Sequence, residues 1–321
     1  VDEERPIRIG VSACLLGERV RWDGNHRLDP YLVETLGRYF EYVPVCPEVE
    51  AGFGTPREPF RLIGDPRAPT LVTVKGGVDQ TERMLTWARS RVEALADDDL
   101  CGFILMKASP SSGMERVKVY DRSGMPRKAG VGLFARTLME RFPLLPVEES
   151  GRLHDPGLRE NFIERVFALR RWRNARGRAS GPRWLATLID FHTRHKLLLM
   201  SHSTELYRAT GRLVADAKTI GRDRVLDQYE SALMEALRLK ATKAKHVNVV
   251  QHVLGYFKND LSADEKQELL SLIESYRAGA VPLIVPLTLL NHYARKYEQT
   301  YLLEQVYLHP HPVELGLRNH A

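Results

Sequence analysis

Cys14, Cys46, Ser109 and Ser112 each stand where a short apolar run gives way to a turn, and Glu48 follows Cys46 by two residues. Thiolates are soft ligands for iron, hydroxyls can relay protons, and a carboxylate can serve as a general base. The segments concerned are SerAlaCysLeuLeuGly at 12–17, ValCysProGlu at 45–48 and SerProSerSerGly at 109–113. Together they suggest a metal–sulfur active site. It lacks one sulfur, because Ser112 stands where a third ligand would be wanted. Plainer readings remain beside this one: Cys14 and Cys46 as small buried hydrophobes, Glu48 as a solvated loop charge, Ser109 and Ser112 as turn or helix caps.

For the three segments to meet, the elements before them must end on one side. The first half of the chain alternates β-like runs, IleArgIleGlyValSerAla, TyrValProVal, LeuValThrVal, GlyPheIleLeuMet and ArgValLysValTyr, with amphipathic stretches. One such stretch opens at Asp29 and Pro30, another covers Val78 to about Ala96, and a third Leu133 to Phe142. This pattern predicts an α/β N-terminal domain with a mainly parallel sheet, in which ligands bind beyond the carboxyl ends of the strands. Cys101 precedes its strand, so the strand's length of roughly 20 Å separates it from such a site.

The second half carries no comparable strands. Segments of period 3.6 run through Leu158–Arg173, Arg183–Met200, Glu205–Asp216, Val225–Leu239, Val247–Lys258, Asp264–Tyr276 and Leu287–Tyr297, and Ser262 with Glu265 forms a capping box. An all-α C-terminal domain is expected, with domains at 1–152 and 153–321. Charge divides along the same line: 21 Lys and Arg stand against 23 Asp and Glu in residues 1–150, but 26 against 18 in 151–321. The second half is therefore the expected contact for a polyanion. With three cysteines a disulfide framework is not expected, and no stretch reads as a membrane span. The charged start has no apolar signal segment, so the expected location is cytoplasmic.

Residues 7 to about 150 resemble the TudS-like thiouracil desulfidase family in SerAlaCysLeuLeuGly, ArgTrpAspGly, CysProGluValGluAlaGly with ThrProArg, and the SerProSer stretch before Gly113. The resemblance implies a 4Fe-4S cluster held by three cysteines, with one iron left open for substrate sulfur. Cys14 and Cys46 match the first two ligands, and Ser112 takes the place of the third. It further implies that Glu48 is the catalytic base and Ser109 the catalytic serine, in a redox-neutral hydrolysis of C=S to C=O. Serine is a harder and more basic ligand than cysteine, so cluster affinity should fall.

Residues from about 158 to 313 resemble the YbgA-type domain, through the stretches at 192–202, 252–258 and 282–290. Fusions of the two imply desulfidases acting on 4-thiouridine in tRNA, the helical domain contacting RNA. Candidate contacts are Arg170, Arg171 and Arg173, in an arginine run interleaved with Trp172 and Trp184, a second group at Lys240, Lys243, Lys245 and His246, and His192, His195 and Lys196. The alternative for the arginine run is a solvated helix face with its tryptophans in the core. His192, His195 and His202 share one helix face; without a cysteine or a HisGluXxxXxxHis pattern, phosphate contact or packing is favoured over zinc. Two other functional readings stand beside the leading one: a desulfidase of free thiouracil, and a catalytically silent RNA-binding protein that lost its cluster with the third thiol.

Overall fold

The computed structural model describes residues 6–320, so the charged stretch 1–5 lies outside it. The chain divides into two compact units between Asp155 and Pro156. In the first unit β1 (Ile7–Ser12), β2 (Phe40–Val45), β5 (Gly102–Leu105) and β8 (Val147–Glu149) form a parallel sheet in the order β2-β1-β5-β8. Ile9, Val11, Phe103, Ile104 and Leu105 are fully buried, as continuous apolar runs covered on both faces should be. Ser12 is in register with Val45, so β1 and β2 release the chain side by side just before Cys14 and Cys46.

Gly10 is required by this sheet. A Cβ there would lie 2.2 Å from the ring of Phe103 on the neighbouring strand. That ring packs edge-on against Phe134 in α3 (Leu133–Arg141), and Phe134 in turn meets Trp87 in α2 (Thr81–Ala94).

A second sheet was not legible as such. β3 (Phe60–Asp65), β4 (Ala68–Thr73), β6 (Val117–Tyr120) and β7 (Pro126–Gly130) pair in the order β4-β3-β6-β7, with β3–β4 and β6–β7 antiparallel. LeuValThrVal and ArgValLysValTyr thus belong to hairpins, not to the parallel sheet. Asp121 closes one of these hairpins, its Oδ1 accepting from the N–H groups of Ser123 and Met125. The stretch opened by Asp29 and Pro30 is also shorter than expected. A wide turn at Tyr31–Thr35 and a tight one at Leu36–Arg38 replace a helix, and Tyr42 Oη donates to the carbonyl of Leu32.

The second unit is helical among its described residues: α4 (Pro156–Arg178), α5 (Trp184–His202), α6 (Thr204–Ala215), α7 (Ala217–Ile220), α8 (Arg222–Arg238), α9 (Lys243–Leu254), α10 (Ala263–Ala278), α11 (Ile284–Lys296) and α12 (Thr300–Leu303). A short helix, α1 (Pro47–Glu50), belongs to the first unit. Ser203, Thr242 and Ser262 cap α6, α9 and α10 through their hydroxyls, and Glu265 completes the capping box. Trp172 is the centre of the helical core, stacked on Tyr229 at 5.0 Å and edge-on to Phe191 at 5.1 Å. Trp172→Ala should lower stability by about 3–5 kcal/mol, and Ser262→Ala by about 1 kcal/mol. Urea midpoints of the two variants, followed by circular dichroism, check that order of magnitude.

Candidate active site

Cys14, Cys46, Glu48, Ser109 and Ser112 line one cavity of about 420 Å³ beyond the carboxyl ends of β1, β2 and β5. Each is placed by backbone geometry. Cys14 lies in a single turn at Ala13–Leu16 that closes on the left-handed Gly17, and its carbonyl accepts from Arg27 N–H at 2.8 Å. Cys46 is the N-cap residue of α1; its N–H donates to Glu50 Oε1 at 2.8 Å, and Glu48 occupies the first turn.

The serine loop is held by a helix. The first amides of α3 donate to the carbonyls of Pro110 and Ser111, at 3.2 Å from Leu133 and 3.0 Å from Phe134, in place of a side-chain cap. Such an approach needs Gly132, where a Cβ would stand 2.5 Å from the carbonyl of Ser111.

Glu48 is gripped at both oxygens. Arg57 pairs with Oε2 through Nε at 2.9 Å and a second guanidinium nitrogen. Ser111 Oγ donates to Oε1 at 2.8 Å and lies 3.0 Å from Ser109 Oγ. Ser109 Oγ accepts from the amides of Ser111 and Ser112, which leaves its proton for Ser111. The hydrogen bonds therefore run Ser109 to Ser111 to Glu48, with Arg57 behind.

Arg57 and Ser111 were not named from the sequence. Arg57 stood in the ThrProArg stretch and Ser111 inside SerProSerSerGly, but only contacts made across the fold reveal what they hold. Arg57 is itself fixed by the carbonyls of Val20 and Gly54, at 3.1 and 2.8 Å.

The two thiols are protonated in this setting. Burial, followed by the neighbouring Cys46, pushes the Cys14 thiol up to about 11, and Glu48 adds to the effect; Cys46 is raised chiefly by burial. Cys14 is 8% exposed and Ser112 3%. Two thiols and one hydroxyl on the same cavity fit a cluster in position, with one oxygen among the three donors. Among the described residues no group of three His, Cys, Asp or Glu side chains could hold a metal ion. Cys101 is fully buried and lines no part of the cavity.

The helical candidates do not gather into a site. His195 is 2% exposed, stacked on Phe191, and burial lowers it to about 3, so it is neutral and turned away from any phosphate. His192 donates to or accepts from Tyr229 Oη at 3.0 Å, and its burial lowers it to about 4. His202 bridges Glu164 and the carbonyl of Leu239, apart from the other two histidines in its bonding. Lys196 lies over the ring of Tyr301 at 5.1 Å. Arg171 donates to the carbonyl of Pro310, and Arg170 and Arg173 are half-buried. Trp172 belongs to the core, as the plainer reading of that run held; His246 is buried against Tyr307, and Lys245 donates to the carbonyls of His202 and Lys240.

The family described as 2-thiouracil desulfurase matches residues 9–150, and the one described as protein of unknown function (DUF1722) matches residues 196–312. An uncharacterized protein of Escherichia coli (strain K12), YbgA, is 37% identical over 133 residues, which make up 41% of this chain and 79% of that protein. YbbK, an uncharacterized protein of Bacillus subtilis (strain 168), is 31% identical over 108 residues, 32% of this chain and 71% of that protein. The solved structure of a 4Fe-4S-dependent thiouracil desulfidase, TudS, is 27% identical, covering 46% of this chain and 94% of its own, with a TM-score of 0.39.

In metal-free protein the raised thiol has a measurable consequence. At pH 8 alkylation of Cys14 by iodoacetamide should be about a hundredfold slower than in the unfolded chain, since only thiolate reacts. Its folded-state value lies above its unfolded one, so the associated stability is complete below pH 9.0 and is lost as pH rises through about 11. Mass-spectrometric labelling rates across that range check both statements.

Proposed function

Because this chain belongs to the 2-thiouracil desulfurase family through residues 9–150, and to the DUF1722 family through residues 196–312, we propose that it removes sulfur from a thiolated pyrimidine by redox-neutral hydrolysis. The observation that carries this reading is Glu48, clamped by Arg57 and linked through Ser111 to Ser109 beside two thiols. Cys14, Cys46 and Ser112 would hold a 4Fe-4S cluster. When bound, it would supply an iron without a protein thiolate, a thiophilic Lewis acid for the thiocarbonyl sulfur.

The chain's own residues do the proton chemistry. Glu48 accepts a proton from water directed at the thiocarbonyl carbon, and Arg57 keeps the carboxylate aimed. Ser109 passes a proton to the departing sulfur and is resupplied through Ser111 from Glu48. Water and the thiocarbonyl become a carbonyl and sulfide, with no change in oxidation state.

The preferred substrate is 4-thiouridine within tRNA rather than free thiouracil. Among the described residues Arg21, Arg27, Arg57 and Lys107 line the cavity against Glu48 alone of the carboxylates, and Trp22 offers an exposed ring there. Such a lining suits a base that carries phosphates. The positive excess of residues 151–321 supports an RNA partner in the same way. One observation favours a second reading, a silent RNA-binding protein: the hydroxyl of Ser112 in place of a third thiol.

Iron content and visible absorption of anaerobically purified protein, compared with Ser112→Cys, separate the two. Iron in both forms, with sulfide released from 4-thiouridine tRNA, is expected; iron in neither form, or iron without any sulfide from thiolated RNA or base, would reject the desulfidase. Iron in the variant alone would favour the silent protein. In the iron-loaded form Glu48→Gln should cut sulfide release by about a hundredfold or more. Binding of tRNA should weaken steeply from 50 to 200 mM salt; affinity indifferent to salt would remove RNA as partner.

A further inference from the structure

The smaller sheet of the first unit turns one face inward and the other out. Leu62, Val117 and Val119 are buried in one apolar cluster with Met84 and Leu133, so Arg61 and Lys118, at the alternate positions of β3 and β6, project from the opposite face. Lys128 of β7 stands directly across from Lys118 in the antiparallel pair and shares that face. Cations thus cross three neighbouring strands, a width of about 10 Å.

Their charge is unanswered among the described residues. Lys118 and Lys128 are exposed, and their side chains enter no hydrogen bond or ion pair there; the same holds for the exposed Arg116 just before β6. Arg61 lies over the ring of Tyr120 at 5.6 Å. The carboxylates nearest in sequence are committed elsewhere: Glu115 pairs with Arg152 at 2.6 Å, Asp65 accepts from Arg67 N–H at 2.9 Å, and Asp121 accepts from Ser123 N–H within its turn. Like charges directly opposite each other destabilise a pair of strands. Lys118 and Lys128 form such a pair, and an anion lying across the strands relieves it.

This face begins at the rim of the candidate active site. Phe60, which lines that cavity, immediately precedes Arg61. β6 leaves the serine loop, where a Cβ on Gly113 would lie 2.4 Å from Val117, the residue before Lys118. The chain after β7 returns to that loop, and Gly132 N–H donates to the carbonyl of Gly113 at 2.8 Å. Arg61 therefore stands one strand position beyond the cavity lining, about 3.3 Å along the chain, with Lys118 and Lys128 beside it across the sheet.

We propose that this sheet face carries the sugar–phosphate backbone of the RNA whose thiolated base enters the cavity, Arg61, Lys118 and Lys128 meeting phosphates on its path. The assignment rests on the reading of thiolated RNA as substrate, and it gives the first unit its own hold on the strand. Such contacts fix the position of a strand without reading its sequence, and an ammonium on a flexible stem suits them.

Fluorescence anisotropy of labelled tRNA bearing 4-thiouridine, titrated with the full chain at about 50 to 200 mM salt, tests it. Lys118→Gln with Lys128→Gln should bind at least about tenfold more weakly at about 100 mM, and the slope of log affinity against log salt should flatten by about 1.5 to 2. Lys128→Gln alone, at the sheet edge, should give about half of that flattening. Lys118→Arg with Lys128→Arg should bind as the unaltered chain does. Arg38→Gln with Arg89→Gln removes the same charge from exposed positions elsewhere in this unit and should change affinity by less than about twofold. The melting temperature of the Gln pair should not fall, since the repulsion is gone. Full binding by the Gln pair, or an equal loss in the Arg38 and Arg89 pair, would overturn this assignment while leaving RNA as partner. Phosphatidylserine vesicles bound as tightly as tRNA, or no tRNA bound at the lowest salt, would overturn it together with the RNA substrate.

Discussion

A carboxylate drawn partly out of water has to be held by donors, and the pairing of Glu48 with Arg57 and Ser111 meets that need. Three segments distant in sequence are fixed by it at once. Arg57 reaches back to the carbonyl of Val20, in the turn after Cys14, and Ser111 belongs to the loop after β5. Remove this clamp and Glu48 loses its alignment with Ser111 and Ser109 even though every strand remains. The fold supplies proximity, and the ion pair supplies direction.

Much of this was readable beforehand, for physical reasons. Strands with fully buried, continuous apolar runs announce themselves, and the turns that follow them in a parallel sheet must share an edge, so the convergence of Cys14, Cys46, Glu48, Ser109 and Ser112 could be expected from their positions alone. What stayed hidden depended on side chains choosing partners across the fold. Ser111 looked like one more turn residue, and Arg57 like one more surface charge. β7, ProArgLysAlaGly, has almost no apolar content and becomes a strand only because β6 offers it an edge. In the helical half, periodicity located the helices, yet it could not say which of the arginines and histidines face inward. Hence His195, placed among phosphate contacts from its spacing, is packed against Phe191 instead.

The donor set for a cluster poses a different question from the fold. Cys14 and Cys46 are softer ligands than any oxygen, and their protonation in a buried, anionic setting means that a positive centre would have to displace two protons on arrival. A serine oxygen asks for a third, from a far weaker acid. Loading is therefore pH-dependent by construction, and the oxygen weakens retention relative to three sulfurs without disturbing the loop that carries it.

That loop is joined to α3 by the helix's own first amides and by the close approach at Gly132. It cannot swing aside without unwinding the start of the helix and freeing several donors together. The hydroxyls of Ser109 and Ser111 are then already joined to Glu48 before any ligand comes. The chemistry of this half of the chain is preformed, and no closing motion of the serine segment stands between arrival and reaction.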